Sequence, residues 1–338
     1  MERGMKKKAF SLLSGGLDSL LATRLVMAQG IEVIGLHFIT PFFGYDQKGR
    51  EADYVENMRR NCGIEARVID VGEEYFGILR HPRYGYGKNF NPCVDCKVFL
   101  FSQARRLLQE ENADFLVTGE VLGQRPMSQR RDTLRIVERD SGTEGLLLRP
   151  LSAKNLNPTQ PEVLGVVARE KLLGLKGRGR KPQIKLAAEF GLRNYPAPAG
   201  GCVLTDPILS KRIRKHFTAH PAVTINEVLL LQVGRHFLLG DPGWFILGRN
   251  EEENRKLQEL AREGDFSLKM EEIPGPLGVL RGKGTPDQIR QAAAILARYS
   301  KAKNEEAASV AWGSGPENFP NHLTVRPARE EEVAPFRY

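Results

Sequence analysis

Ser14-Gly15-Gly16-Leu17-Asp18-Ser19 lies where an apolar stretch, Ala9 to Ser14, gives way to a helical pattern, Leu20 to Gln29. A glycine-rich turn between a strand and a helix presents backbone N–H groups at a helix N-terminus, where a phosphate is favoured. A carboxylate in the same turn, Asp18, can hold or orient Mg²⁺ against the phosphate charge. The lysine of a G-x-x-x-x-G-K-[ST] loop is absent. With no anion involved, the same residues would make a glycine turn and a helix cap, for which Asp and Ser are suited. A second kind of chemistry resides in the four cysteines, Cys62, Cys93, Cys96 and Cys202, too few for a disulfide framework in 338 residues. Cys93 and Cys96 stand in Asn91-Pro92-Cys93-Val94-Asp95-Cys96-Lys97 ahead of a helix, and Cys202 follows Gly200 and Gly201. In a reducing compartment, clustered cysteines bind metal or carry redox and sulfur chemistry more often than they cross-link.

The six-residue loop resembles the SGGxDS signature of the PP-loop ATP pyrophosphatases. Those enzymes cleave ATP between the α and β phosphates, transfer AMP to an oxygen and release pyrophosphate. The resemblance implies that Ser14, Gly15, Gly16 and Ser19 cradle the pyrophosphate and that Asp18 serves Mg²⁺. Thr118-Gly119-Glu120, followed by Leu122-Gly123-Gln124 and Ser128-Gln129, is similar to the tRNA 4-thiouridine synthases, whose matching loop lies against the nucleotide. That assigns Thr118, Gly119 and Gln124 to ATP; the alternative is a polar loop closing a strand. In this fold family Leu36-His37-Phe38 would contact adenine through Leu36 and Phe38, with His37 a buried, satisfied histidine. The segment from Asn91 to Lys97 resembles that of the tRNA 2-thiouridylases instead, and Gly200-Gly201-Cys202 matches that family's later cysteine, which returns to the active site. The motifs span most of the first ~210 residues in order.

Three arrangements of Cys93, Cys96 and Cys202 remain open. The three thiolates bind a [4Fe–4S] cluster with one iron left open, an arrangement shared with cluster-dependent tRNA thiolases. Or Cys202 carries a persulfide that Cys93 or Cys96 resolves by thiol–disulfide exchange. Or they hold a structural zinc, for which a fourth ligand is lacking. Cys62, between a helix and a strand, reads as a buried structural thiol.

Strand–helix alternation places these residues. Strands are expected at Ala9–Ser14, Ile31–Ile39, Ala66–Val71 and Phe115–Thr118, and helices at Leu20–Gln29, Ala52–Cys62 and Phe99–Glu111. This order implies a parallel sheet covered on both faces, with functional residues after the carboxyl ends of its strands. Lys171 to Lys181 threads basic residues with glycines and suggests a mobile basic loop; Lys211, Arg212, Arg214 and Lys215 form another basic run. From about Gln232 short strands, a charged helix (Glu251–Glu263) and an alanine-rich helix (Pro286–Lys301) follow, with a loose tail beyond Pro327. Val233-Gly234-Arg235-His236-Phe237 and Leu247-Gly248-Arg249-Asn250, with Pro274 to Val279 and Tyr299-Ser300, resemble the RNA-binding domain of the NFACT proteins. Arg235, Arg249 and Asn250 could then meet phosphates or bases; alternatively they fix tight turns.

The expected architecture is α/β, a parallel-sheet PP-loop ATP pyrophosphatase domain (1–210), a basic connector (211–231), a smaller α+β RNA-binding domain (232–327) and a tail (328–338). The expected activity is ATP-dependent adenylation of a tRNA uridine oxygen and its replacement by sulfur, with ATP, Mg²⁺ and a [4Fe–4S] cluster as cofactors. Catalysis falls to Asp18, Cys93, Cys96 and Cys202. Alternatives are a cluster-free persulfide relay, a non-thiolating PP-loop tRNA-modifying ligase and a non-catalytic tRNA-binding factor. The net charge of +9 suits tRNA as a polyanionic partner; the other expected partner is a sulfur donor, sulfide or a persulfide carrier protein. Lys6, Lys7 and Lys8 before an apolar stretch superficially suit a secretory signal, but Gly15, Gly16 and Asp18 interrupt it. No apolar run approaches the ~20 residues of a membrane span, so the expected location is cytoplasmic and no membrane is involved.

Overall fold

The computed structural model describes residues 7–193, 195, 202–241, 243–282 and 284–338, so Lys6, Gly200 and Gly201 lie outside the described residues. The chain divides into two compact units, Met1–Lys211 and Arg212–Tyr338.

In the first unit the elements run β1 (Lys8–Leu12), α1 (Leu17–Met27), β2 (Glu32–Ile39), α2 (Glu51–Asn57), β3 (Glu65–Asp70), α3 (Gly72–Arg80), α4 (Cys93–Glu110), β4 (Phe115–Thr118), α5 (Arg131–Ser141), β5 (Leu147–Leu148), α6 (Gln160–Val163) and α7 (Lys181–Glu189). The strands form a parallel sheet in the order β3-β2-β1-β4-β5. Each face is covered by the apolar stripe of a helix. Leu17, Leu20 and Leu21 of α1 pack with Ala9, Val33, Phe115 and Ala187 on one side. Phe101, Ala104 and Leu108 of α4 pack with Phe10, Leu36, Phe38 and Val137 on the other. The i, i+3, i+4 spacing of these residues is what lets one stripe cover a sheet face.

Strand order reverses between β1 and β4, one leading outward through β2 and β3 and the other through β5. Leu12 pairs with Thr118, so the two strands end level with one another. The loops after them open the crevice in which doubly wound sheets bind ligands. Those loops are Ser14–Ser19 and Thr118–Gln124.

Two local outcomes differ from the sequence expectation. The Ala52–Cys62 helix is α-helical only over Glu51–Asn57, then widens into a π-turn at Met58–Cys62 before Gly63 at φ +62° ends it. The basic stretch from Lys171 to Lys181 is tied along the sheet edge rather than loose: Leu173 N–H donates to Pro150, Leu175 to Leu151 and Gly177 to Leu122. Its glycines permit that course, and its apolar residues Leu172, Leu173 and Leu175 join the core.

The second unit begins within α8 (Pro207–Ala219), followed by α9 (Ile225–Leu231), β6 (Arg235–Leu238), β7 (Trp244–Leu247), α10 (Glu251–Leu260), β8 (Phe266–Met270), β9 (Leu277–Arg281), α11 (Pro286–Arg298), β10 (Ala308–Ser314), β11 (Asn321–Val325) and α12 (Glu330–Val333). Its six strands are antiparallel in the order β11-β10-β8-β9-β7-β6. A capping box of Thr285 and Gln288 starts α11, whose Ile289, Ala292, Ala293 and Leu296 lie in the core. The stretch expected as a connector thus carries two helices. The tail expected to be loose is packed: Val333 is fully buried, and the Tyr338 amide donates to the His236 carbonyl.

Candidate active site

Gly15 adopts φ +72°, a left-handed conformation that glycine takes without strain, and this turns the chain from β1 into α1. Gly16 is the N-cap of α1, with no side chain bonded to the helix's first amides. The Ser19 hydroxyl donates to the Gly16 carbonyl at 2.7 Å and accepts from the Ser14 amide at 3.3 Å, closing the loop on itself. The capping alternative therefore does not account for Asp18 or Ser19. Asp18 Oδ2 receives Gln124 Nε2 at 3.1 Å and faces the Arg180 guanidinium at 3.6 Å. Asp18 Oδ1 is buried with no hydrogen-bond partner among the described residues. A buried carboxylate oxygen left unmatched is costly unless a cation or donor meets it, so this atom fits a Mg²⁺ ligand.

Gly119 brings the second loop onto the first. A Cβ at this position would stand 2.4 Å from the Asp18 carbonyl carbon and the Ser19 nitrogen, both backbone atoms. Gly119→Ala should therefore force one loop off the other and cost about 1–3 kcal/mol of stability, read as a fall in the denaturant midpoint. A variant as stable as wild type would show that the two loops need not touch.

The next residue, Glu120, is 4% exposed and sits at the centre of a buried charge network. It pairs with Lys97 of α4 and, at 2.8 Å, with Arg149, which also pairs with Glu138 of α5. Burial alone would raise the Glu120 pKa, but the charges of Lys97 and Arg149 outweigh it and hold the carboxyl below its ordinary value. Lys97 also donates to the Ser128 carbonyl at 3.0 Å. The network thus ties the start of α4 to the Thr118–Gln129 loop, itself in contact with Asp18.

Cys93 and Cys96 occupy the first turn of α4, with Cys96 N–H donating to the Pro92 carbonyl at 2.8 Å. Asn91 Nδ2 donates to Cys93 Sγ at 3.1 Å. Cys202 Sγ donates to the Phe42 carbonyl at 3.5 Å, and Asn89 Nδ2 reaches the Thr205 carbonyl at 2.6 Å, joining the two cysteine segments. Tyr75 of α3 is 1% exposed and feels all three thiols, with a hydrogen bond between its hydroxyl and Cys96. Burial pushes the Cys96 thiol up to about 12, against the pull of that hydrogen bond, and the Cys202 thiol up to about 11. Both are therefore protonated at neutral pH. Cys62 lies in the α1-side core, among Tyr54, Met58 and Ile64. Among the described residues no group of three or more His, Cys, Asp or Glu side chains is disposed to hold a single metal ion. A [4Fe–4S] cluster asks for something different, one thiolate on each of several irons, and Cys93, Cys96 and Cys202, near enough for their charges to act on one another, are chemically suited donors.

Residues 4–157 match the model of the family described as thiamine biosynthesis protein (ThiI), and residues 234–337 match the NFACT protein RNA binding domain. The first unit is thus similar to the PP-loop tRNA thiolation enzymes, and the second to the NFACT RNA-binding domain. It is 35% identical over 125 residues to a tRNA-specific 2-thiouridylase of Syntrophotalea carbinolica, covering 34% of this chain and 36% of that protein. It is 30% identical over 149 residues to a probable tRNA sulfurtransferase of Thermococcus kodakarensis, covering 44% of this chain and 38% of that one. The alignments thus span about a third of the length of these curated relatives. A solved 4-thiouridine synthetase–RNA complex with bound ATP is 22% identical, covering 66% of this chain and 53% of that one, at a TM-score of 0.35, too loose for a structural equivalence.

In the PP-loop unit, the structure brings Ser14, Gly15, Gly16, Asp18, Ser19, Thr118, Gly119 and Gln124 together at the sheet's switch point. It does not bring the Leu36 and Phe38 side chains there: Leu36 is fully buried, and Phe38 nearly so, in the α4-side core. His37 has the buried, satisfied role expected of it, with Nδ1 3.0 Å from the Leu13 carbonyl and its ring stacked on Tyr54 at 4.3 Å. In the NFACT-like unit Asn250 caps α10 by accepting from the Glu253 amide, and Arg249 is paired with Glu253. Both perform the turn-fixing role. The Arg235 guanidinium lies over the Tyr299 ring at 4.7 Å, a cation–π contact. Sequence reasoning did not single out Tyr75, Lys97 or Arg149, since nothing local marks them; Arg180 was one of several basic residues in a glycine-rich stretch.

Proposed function

We propose that the protein is an ATP-dependent tRNA sulfurtransferase that adenylates a uridine carbonyl oxygen and exchanges that oxygen for sulfur. One observation carries this reading: the loop from Gly119 to Gln129 touches Asp18 at one end and, through Glu120 and Ser128, holds Lys97 next to Cys96. An ATP-cleaving site and a thiol site are thereby built on one framework. The likeness to enzymes named for tRNA thiolation supports the substrate, and the NFACT-like unit supports a grip on RNA.

In the first step the uridine oxygen attacks the α-phosphorus; a new P–O bond forms as the bond to the β-phosphate oxygen breaks and pyrophosphate leaves. The amides of the Ser14–Ser19 loop and the N-terminus of α1 receive the leaving charge. Asp18, whose Oδ1 awaits a cation, would hold Mg²⁺ against the same phosphates. In the second step sulfide bonds to the activated carbon, the C–O bond breaks and AMP departs with the oxygen. Cys93, Cys96 and Cys202 would hold a [4Fe–4S] cluster, which would supply iron able to bind sulfide. Tyr75 fixes the Cys96 sulfur by hydrogen bond, and the surrounding rings of Phe42, Phe43 and Phe99 keep the region dry.

Protein purified without oxygen should contain iron and sulfide near four per chain and should convert ATP and tRNA to AMP, pyrophosphate and thiolated tRNA. Cys93→Ala, Cys96→Ala and Cys202→Ala should each lose the iron and the thiolation while still releasing pyrophosphate; Cys62→Ala should keep all three properties. Iron-free protein that still thiolates tRNA and traps a Cys96–Cys202 disulfide would replace the cluster with a persulfide relay. The absence of tRNA-dependent pyrophosphate release would leave only a tRNA-binding factor.

A further inference from the structure

We infer that Arg180 is a phosphate-binding residue of the ATP site, supplying from outside the loop the cation that Ser14–Ser19 lacks; this rests on the PP-loop reading proposed above. The loop offers backbone amides and a helix dipole but no positive side chain of its own. Cleavage between the α and β phosphates sends an electron pair onto pyrophosphate, a polyanion that amides alone neutralise poorly.

The segment once expected to be a mobile loop delivers the missing charge. Its backbone bridges from Lys176 to Leu122, and the Gly177 amide donates to the Leu122 carbonyl at 2.8 Å, beside Gly123 and Gln124. Leu122 in turn donates its amide to the Ser152 hydroxyl, which bonds to the Leu175 carbonyl. Three residues beyond Gly177 the chain enters α7 with Arg180 as the N-cap and Pro182 in the first turn. There the guanidinium faces Asp18 at 3.6 Å, a long contact that, among the described residues, leaves most of its donors to another anion. Because Asp18 lies in the first turn of α1, a cation beside it stands where the phosphates meet the helix N-terminus.

A second observation points to the same place. Gln183 is 1% exposed, yet neither its Oε1 nor its Nε2 has a partner among the described residues. It shares a face of α7 with Ala187, which packs in one core with Leu17, Leu20 and Leu21 of α1. Gln183 therefore lies on the α1 side, one turn from Arg180. Together with Asp18 Oδ1, three polar atoms remain unmatched beside the first turns of two adjacent helices. Native interiors rarely tolerate such a group unless a ligand satisfies it.

The test compares ATP with AMP, both bound in the presence of Mg²⁺ and measured by calorimetry on wild-type protein, R180A and R180K. AMP keeps the base, ribose and α-phosphate but lacks the β and γ phosphates that Arg180 is to meet. R180A should lose about tenfold or more in ATP affinity with AMP affinity unchanged, and R180K should fall between, since lysine keeps the charge without the planar fork. Should R180A fail to fold, R180K carries the same comparison. An unchanged ATP-to-AMP preference in either folded variant would overturn the assignment and leave Arg180 as a counter-ion of Asp18. Wild-type protein that binds neither nucleotide would sink the PP-loop reading and the assignment with it.

Discussion

Asp18→Ala should lower tRNA-dependent pyrophosphate release by about 10²–10³-fold, the scale seen when a group aimed at developing transition-state charge is removed. The expected loss comes from a carboxylate whose Oδ2 is already placed by Gln124 and Arg180 and whose Oδ1 is buried without a partner. Such an atom is held in readiness for a cation, and the Mg²⁺ it would bind bears directly on the leaving pyrophosphate. Stability should change little, within about 1 kcal/mol, because the Arg180 contact is long and partly solvated. A matched thermal unfolding curve with a collapsed rate is therefore the expected pair of results. Pyrophosphate release at the wild-type rate would remove Asp18 from the mechanism.

Glu120→Ala should have the opposite signature, a large stability loss. Arg149 would be left buried with only Glu138, and half-buried Lys97 without its carboxylate; removing one partner of a buried pair typically costs about 3–5 kcal/mol. The fall in the denaturant midpoint measures it. Because the folded pKa of Glu120 lies below its ordinary 4.5, its stabilisation is fully present above that value. It is lost as pH falls through the depressed folded value, when the carboxyl protonates. Wild-type protein should thus lose stability progressively below about pH 4.5, and Glu120→Gln should flatten that part of the curve. An Ala variant as stable as wild type, with an unchanged acid limb, would mean the network contributes no net stability. Thiolation should also suffer in any variant that remains folded, since Lys97 anchors the cysteine helix to the nucleotide loop.

Several features were determined by the sequence alone because their causes are local. The glycines and short polar residues of Ser14–Ser19 can form only a tight turn into a helix. The apolar period of β1, α1, β2 and β4 specifies a parallel, doubly covered sheet. The spacing of Cys93 and Cys96 puts both thiols in one helical turn. The order of strands within the sheet was not local, and it decided where the crevice opens, between β1 and β4. Side-chain direction was decided there too. Residues two apart in β2 share a face, but only packing against α4 decided that the Leu36 and Phe38 side chains enter the core. Arg249 and Asn250 carry chemistry that suits RNA, and only the fold shows that Glu253 meets both, one by charge and one by its amide. Tyr75, Lys97, Arg149 and Arg180 meet their partners across tens of residues, through side chains whose types are common on any surface. Their roles follow from proximity to a thiol, a carboxylate or the Ser14–Ser19 loop, and proximity is a property that only the folded chain possesses.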